Sequence, residues 1–188
     1  MLGLFKKQIH ESVEIQRQDV LHAYPEIFAK SIINGEDCDQ IADGYGPIGS
    51  LTNPIPVNGA IGEIKYLGKL RGKTGNSLFF HRLGNTTSSV CKTSIDIYEV
   101  VCLDGTQWNT VYFNLHHPRR SNLAPPGYTL MPFIKGLKID SPIDFGVNFP
   151  VEDFPFGLPR AIDIFYGGKG ILERKVRECL AKSNFSRP

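Results

Sequence analysis

Two short helices are predicted at the N-terminal end of the chain, because apolar residues recur there at helical spacing. The apolar positions of the first helix are Phe5, Ile9, Val13 and Val20 or Leu21. The second helix begins at Pro25, a residue favoured in the first helical turn, and ends at Gly35. The positions expected on its apolar side are Ile27, Phe28 and Ile32 or Ile33.

The same spacing predicts two more helices. The apolar positions of one are Ile61, Ile64, Leu67 and Leu70, and the charged residues expected on its outer side are Glu63, Lys65, Lys69 and Arg71. The other starts after Gly170 with a stripe of Ile171, Leu172, Val176, Cys179 and Leu180. Between the second and third helices, residues 36–60 contain several turn signals and several apolar residues. They predict an ordered loop that packs on the body of the protein.

The clearest β-strand pattern covers residues 95–115, where two apolar runs flank Asp104 and Gly105. This dipeptide favours a two-residue type I′ turn, which needs positive φ at both central residues. Such a turn fixes the register of the hairpin. The pairs expected across it are Val101 with Trp108, Ile97 with Tyr112, and Tyr98 with Val111. Apolar residues on both faces predict a hairpin that is covered on two sides.

These elements predict an α+β fold, with residues 77–83 as a third strand. We expect an antiparallel sheet centred on the 95–115 hairpin, packed with N-terminal and C-terminal helices and with long ordered loops. The β-α-β alternation of a doubly wound sheet is absent. The 188 residues fit a single globular domain that spans positions 1–188.

The composition gives no indication of a nucleic-acid-binding or membrane-spanning protein. The net charge is +2, so no overall field favours nucleic acid, and no run approaches the roughly 20 apolar residues of a membrane-spanning helix. The four cysteines form no CxxC motif, which favours reduced thiols in the cytoplasm. We find no spacing typical of a metal site and no fingerprint of a cofactor.

Candidate chemistry is concentrated at two predicted strand ends. His116, His117, Arg119 and Arg120 end the second hairpin strand, and His81 and Arg82 end the neighbouring strand. Histidines exchange protons near neutral pH, and arginines hold phosphate or carboxylate groups. If the two ends meet, these side chains line one cleft for an anion.

The roles in such a cleft follow from side-chain chemistry. The candidate catalytic residues are His81, His116, His117 and Glu99, where Glu99 would orient or deprotonate. The candidate ligand-binding residues are Arg82, Arg119 and Arg120. A simpler interpretation of the same segment is a polar strand exit followed by a basic, solvated turn.

Three other patterns have ordinary structural interpretations. Residues 68–74 resemble a phosphate-binding loop but are one residue short and precede a strand. Asp37, Asp39 and Asp43 resemble part of a calcium loop but lack its third ligand and its glycine. A basic surface for nucleic acid could be formed by Lys65, Lys69, Arg71, Lys73 and Arg82, but few aromatic residues accompany it.

Two functional hypotheses remain from the sequence. The favoured one is a non-catalytic cytoplasmic protein, of the accessory or immunity type, that binds another protein through its packed loops. The alternative is an enzyme or small-ligand binder that acts on an anionic phosphate or carboxylate substrate through the histidine–arginine cluster. The second hypothesis requires those side chains to converge in a pocket.

Overall fold

The computed structural model describes residues 10–132, the backbone of residues 143–144 and four helical residues near the C-terminus. Its elements are α1 (Val13–Ala23), α2 (Glu26–Ile33), β1 (Ile55–Pro56), α3 (Gly59–Lys69), β2 (Leu70–Arg71), β3 (Leu78–Thr86), β4 (Ile95–Cys102), β5 (Asn109–Asn114), β6 (Thr129–Leu130) and β7 (Ile143–Asp144). Arg174, Arg177, Glu178 and Ala181 are also helical. The predicted apolar stripe of the last helix lies outside the described residues.

The α+β class is confirmed, but the main sheet is mixed and not purely antiparallel as expected. Its strand order is β1-β5-β4-β3-β7, and β2 pairs with β6 in a separate small sheet. Only the centre of the main sheet, β5-β4-β3, is antiparallel. The outer strands β1 and β7 run parallel to their neighbours. Parallel neighbours need a long crossover, and α3 with three strands lies between β1 and β5 in the chain.

Two of the three expected hairpin pairs are confirmed, since Ile97 pairs with Tyr112 and Tyr98 with Val111. The strand pairing ends at Val100 opposite Asn109, before the expected pair of Val101 with Trp108. The predicted type I′ turn is wrong. The amide of Gly105 donates to the carbonyl of Cys102, and the φ of Gly105 is 79°. Gln107, at φ 51°, is the non-glycine residue with positive φ in the part of the chain described. The chain therefore makes a three-residue turn, and an irregularity at Gln107 restores the register.

Aromatic residues form the core between α3 and the sheet. Tyr98 lies edge-on to Phe80 and to Phe113, with ring centroids 5.9 and 5.5 Å apart, and Tyr66 of α3 contacts Phe113 at 5.7 Å. Edge-to-face pairs add stability beyond the burial of their area. On the other face of the sheet Phe79 is fully buried. The hairpin itself is less covered on that face than expected, because Ile97 and Tyr112 are only partly buried and Trp108 is 39% exposed.

Helix α3 is rotated relative to the predicted orientation. Glu63 and Lys69 were expected outside, yet Glu63 is 0% and Lys69 6% exposed. The buried face includes Gly62 and Tyr66, and Ile64 is only partly buried. The absence of a side chain at Gly62 leaves room for the side chain of Asn58, the residue that precedes this helix. Spacing of apolar residues alone could not reveal this orientation of the helix.

Helices α1 and α2 pack against each other through Val20, Ala29 and Ile32. The expected burial of Ile27 and Phe28 is wrong, because they are 82% and 63% exposed. Consecutive helical residues point about 100° apart, so a run of apolar residues cannot all face one neighbour. None of the helices described is long and apolar enough to cross a membrane.

We expect Gly62→Ala to destabilise the protein, although alanine normally favours a helix by roughly 1 kcal/mol. The new Cβ would collide with Oδ1 of Asn58, which is fully buried. Overpacking of this kind costs about 1–3 kcal/mol. Urea unfolding measures the change, with Ala60→Gly at an exposed position of the same helix as the control for helix propensity. A more stable Gly62→Ala variant would contradict the tight fit between Gly62 and the side chain of Asn58.

Candidate functional site

His117 fixes the loop after α2 and lacks the features of a catalytic base. Its residue is 4% exposed, and Nδ1 donates to the carbonyl of Glu36 at 2.7 Å. A carbonyl only accepts, so the proton must be on Nδ1. Burial lowers the pKa of His117, which favours the neutral ring. The thiol of Cys38 lies 3.6 Å from Nδ1, but burial raises its pKa to about 11, so this pair holds no thiolate at neutral pH.

Arg119 neutralises the acidic loop that resembles part of a calcium site. Its guanidinium forms ion pairs with Asp37 and Asp39, each with an N–O distance of 2.5 Å. Burial alone would raise the pKa of Asp39, but hydrogen bonds from Arg119 and Asn122 lower it below its usual value. Asp37 and Asp39, two of the three aspartates in this pattern, are therefore ion-pair partners of Arg119.

Arg120 is the centre of a buried set of contacts with Glu11, Gln16 and Asn58, which we call the Arg120 network. The side chain of Arg120 is 5% exposed and forms an ion pair with Glu11. Its backbone amide donates to Oε1 of Gln16 at 2.8 Å, and Nδ2 of Asn58 donates to the Gln16 carbonyl at 3.2 Å. The network thus attaches α1 to the loop between β1 and α3.

His116, the first residue of the segment, has a different environment from His117. It forms a β-bridge with Asn58, and its amide donates to Oδ1 of Asn114 at 3.2 Å. Its side chain is partly exposed. The two histidines are consecutive, and their contacts diverge as the alternation of an extended chain requires.

His81 and Glu99 form a pair near the middle of the sheet. Nε2 of His81 lies 2.6 Å from Oε2 of Glu99, and the indole N–H of Trp108 donates to Oε1 at 2.7 Å. His81 is 3% exposed, whereas Trp108 is 39% exposed. One carboxylate therefore receives hydrogen bonds at both oxygens and joins β3, β4 and the residue that precedes β5.

Arg82 belongs to a separate polar group on the opposite face of the sheet. Its Nε and terminal nitrogen donate to the two oxygens of Asp96 at 2.6 and 2.8 Å. Nearby, the hydroxyl of Tyr98 donates to Oε2 of Glu63 at 3.0 Å. Burial, followed by the charge of Asp96, raises the pKa of Glu63 to about 8. Glu63 is hence a neutral acid at pH 7 inside the α3–sheet interface.

The predicted cleft is not assembled, because β3 extends to Thr86 and places His81 in the interior of a strand. His81 is opposite Glu99, which is opposite Thr110. His116 follows Thr110 by six residues, or about 20 Å of extended chain. Arg82 points to the other face. The candidate residues thus form three groups: His81 with Glu99, Arg82 with Asp96, and the 116–120 segment with the N-terminal third.

One surface feature was not recognised as functional from the sequence. Ile27 and Phe28 are adjacent on α2 and both are exposed, while Ala29 and Ile32 face α1. The available signal was that two consecutive apolar residues on a helix cannot share one buried face. We call Ile27 and Phe28 the α2 apolar pair.

Comparison of the chain with family models, curated proteins and solved structures found no match.

Glu63 is expected to make stability depend on pH. Its pKa of about 8 exceeds the ordinary 4.5, so the folded state binds the extra proton between these values. Stability should fall as pH rises through that window, by up to about 1.4 kcal/mol per pH unit. We expect Glu63→Gln, relative to wild type, to gain a few kcal/mol between pH 5 and pH 8.

Urea unfolding at intervals of one pH unit measures this difference. Asp43→Asn, at an exposed carboxylate, is the matched control and should follow the wild-type curve. Parallel curves for Glu63→Gln and wild type would show that Glu63 does not hold a proton in the folded state.

Glu99 is expected to stabilise the sheet, because its removal leaves a buried histidine and an indole N–H without this acceptor. We expect Glu99→Ala to lower the free energy of unfolding by about 1–3 kcal/mol. The emission of Trp108, the one tryptophan in the chain, should change in the folded state. Thr110→Ala, the exposed cross-strand neighbour, is the control and should change stability by less than about 0.5 kcal/mol. Equal effects of the two substitutions would argue against this role.

Proposed function

We propose that this protein is a non-catalytic binding protein that engages another protein through the outer face of α2. The observation that carries the proposal is the exposure of the α2 apolar pair, with Ile27 82% and Phe28 63% exposed. Large apolar side chains side by side on a fixed helix are typical of interaction surfaces, where aromatic residues supply much of the binding energy.

Contacts between the first two helices and the rest of the protein hold the α2 apolar pair in a fixed position. The α1–α2 unit is held by an ion pair between Lys65 and Asp19 and by the Arg120 network. The hydroxyl of Tyr24, in the turn between the helices, accepts a hydrogen bond from the amide of Ile61 at 3.0 Å. A surface held in place before binding loses less conformational entropy when it docks.

The charges around the pair define the chemistry of the partner. Glu26 and Lys30 form an i,i+4 ion pair with an N–O distance of 2.6 Å, and both are largely exposed. They cancel each other, so this face offers apolar area without a net field. It suits an apolar groove on a partner protein, into which α2 packs as a helix. A nucleic acid or an anionic membrane would require a basic face.

The disposition of the polar residues also favours binding over catalysis. The candidate catalytic residues His81 and Glu99 bind each other, and His117 binds a backbone carbonyl. Arg119 and Arg120 are both occupied by carboxylates of the N-terminal third. These contacts give each of the candidate residues a role in stabilising the fold, so their presence does not require a catalytic role.

The proposal includes a cytoplasmic location. Cys38, Cys91 and Cys102 are free thiols, and burial raises the pKa of Cys38 and of Cys91. Thiols kept in the less reactive protonated form suit a reducing compartment.

The test uses a photoreactive amino acid at position 27 or 28 in cells, followed by rebinding of the isolated partner to the purified protein. We expect crosslinks to one protein at both positions. Ile27→Asp and Phe28→Asp should each weaken rebinding at least tenfold, because a hot-spot residue contributes about 2 kcal/mol. Leu83→Asp, at another exposed apolar residue, should leave affinity unchanged.

Each alternative gives a different result. Crosslinks that form equally at Arg17, or rebinding that is insensitive to Phe28→Asp, would overturn the proposal. A crosslink to a second copy of this chain, with a doubled mass by light scattering, would replace the foreign partner with a homodimer. Unfolding measurements accompany every variant, and substitutions at these exposed sites should cost less than about 0.5 kcal/mol.

A further inference from the structure

Four side chains meet between α3 and the sheet, in a group that we call the Glu63 cluster. Glu63 comes from α3, Asp96 and Tyr98 come from β4, and Arg82 comes from β3. Among the described residues, the other three are the titratable or charged groups that face Glu63. Glu63 is 0% exposed and Asp96 is 8% exposed, so the cluster places two carboxyl groups where water hardly reaches.

The cluster can balance one negative charge and not two. The guanidinium of Arg82 donates to both oxygens of Asp96, and this pair carries no net charge. Glu63 accepts a hydrogen bond from the neutral hydroxyl of Tyr98 at 3.0 Å. An ionised Glu63 would therefore be a buried charge without a counter-ion, which is strongly destabilising.

The sheet side of the cluster is fixed more firmly than the helix side. β4 is paired with β3 on one edge and with β5 on the other. Backbone hydrogen bonds attach α3 to neighbouring segments at its two ends, where the amide of Gly59 donates to Leu115 and the amide of Met131 donates to Lys69. Between these ends, side chains such as that of Tyr66 hold the helix against the sheet.

The sequence of α3 also favours opening of the helix. Gly62 and Gly68 lie within it, and glycine has a much lower helix propensity than alanine. The helix forms because its buried face packs against the sheet, and not because its sequence is strongly helical. A charge that disrupts this packing therefore affects α3 before it affects the paired strands.

We propose that α3 opens locally when Glu63 loses its proton, while β3, β4 and β5 remain paired. Opening breaks the hydrogen bonds of the helix around Glu63 and brings the ionised carboxylate into water. The balanced pair of Arg82 and Asp96 stays on the sheet.

The direction of the pH effect follows from the proton that the closed helix holds. The pKa of Glu63 is raised to about 8 by burial and then by the charge of Asp96, and its ordinary value is 4.5. The closed form is therefore favoured at low pH and loses this advantage as pH rises between the two values. Above about pH 8 the closed form is ionised too, and the effect levels off.

Local opening must be distinguished from unfolding of the whole chain, which would show the same pH dependence. Amide hydrogen exchange of the purified full-length protein, followed by NMR, makes this distinction residue by residue. The reporters are the amides of Tyr66 and Leu67 in α3 and those of Val111 and Phe113 in β5. No binding partner takes part, so the result is independent of the proposed docking.

We expect the α3 amides to have lower protection factors than the β5 amides and a weaker dependence on low concentrations of urea, because a local opening exposes less surface. Protection of α3 should fall at least tenfold between pH 6 and pH 8, since one proton changes the equilibrium up to tenfold per pH unit. Glu63→Gln should abolish this fall, whereas Asp43→Asn, at an exposed carboxylate, should retain it.

Tyr98→Phe gives an independent result if Glu63→Gln fails to fold. Removal of the hydroxyl deletes a hydrogen bond that lowers the pKa of Glu63, so protection of α3 should continue to fall above pH 8, where the wild type levels off. Equal protection factors and urea dependence for α3 and β5 would overturn the proposal. So would the same pH dependence in Glu63→Gln and wild type, or an unchanged plateau in Tyr98→Phe.

Discussion

The desolvation of Arg120 constrains the whole N-terminal half of the structure. A guanidinium that is 4% exposed must be paired and hydrogen-bonded, and the groups that satisfy it lie more than 60 residues away in sequence. Glu11 comes from the N-terminal segment and Asn58 from the start of α3, while Gln16 accepts from the backbone amide of Arg120. If Glu11 moved away, the charge of Arg120 would remain buried without its ion-pair partner. The position of α1, and through it that of α2, therefore depends on this network.

The centre of the sheet could be predicted from the sequence because its determinants are local. Alternating apolar residues and one turn dipeptide fix the pairing of Ile97 with Tyr112, and that register survives even though the turn type differs. Gln107 adopts positive φ to absorb the extra residue. The parallel edge strands could not be predicted in this way, because β1 is two residues long and its position follows from a crossover through α3.

The candidate site could not be predicted as a unit because strand ends and helix rotation are decided by tertiary contacts. β3 ends three residues later than expected, at Thr86, and this places His81 within the sheet and far from His116. Rotation of α3 buries Glu63, which a pattern of apolar residues places outside. His81 and Arg82 were both expected to interact with charged groups, and both do: His81 binds Glu99 and Arg82 binds Asp96. The sequence does not indicate which residue each of them binds, because those residues are distant along the chain.

Ion pairing within the chain accounts for the charged groups that stabilise this fold. The pair of Arg82 with Asp96 is balanced. The cluster of Arg119 with Asp37 and Asp39 keeps one negative charge, but its carboxylates are 54% and 37% exposed, so water solvates that charge and no external partner is needed. The α2 apolar pair differs from these groups, because it leaves apolar area in water after folding is complete. Binding of a partner would remove this area from water and so provides free energy that folding does not. The proposed function rests on that free energy.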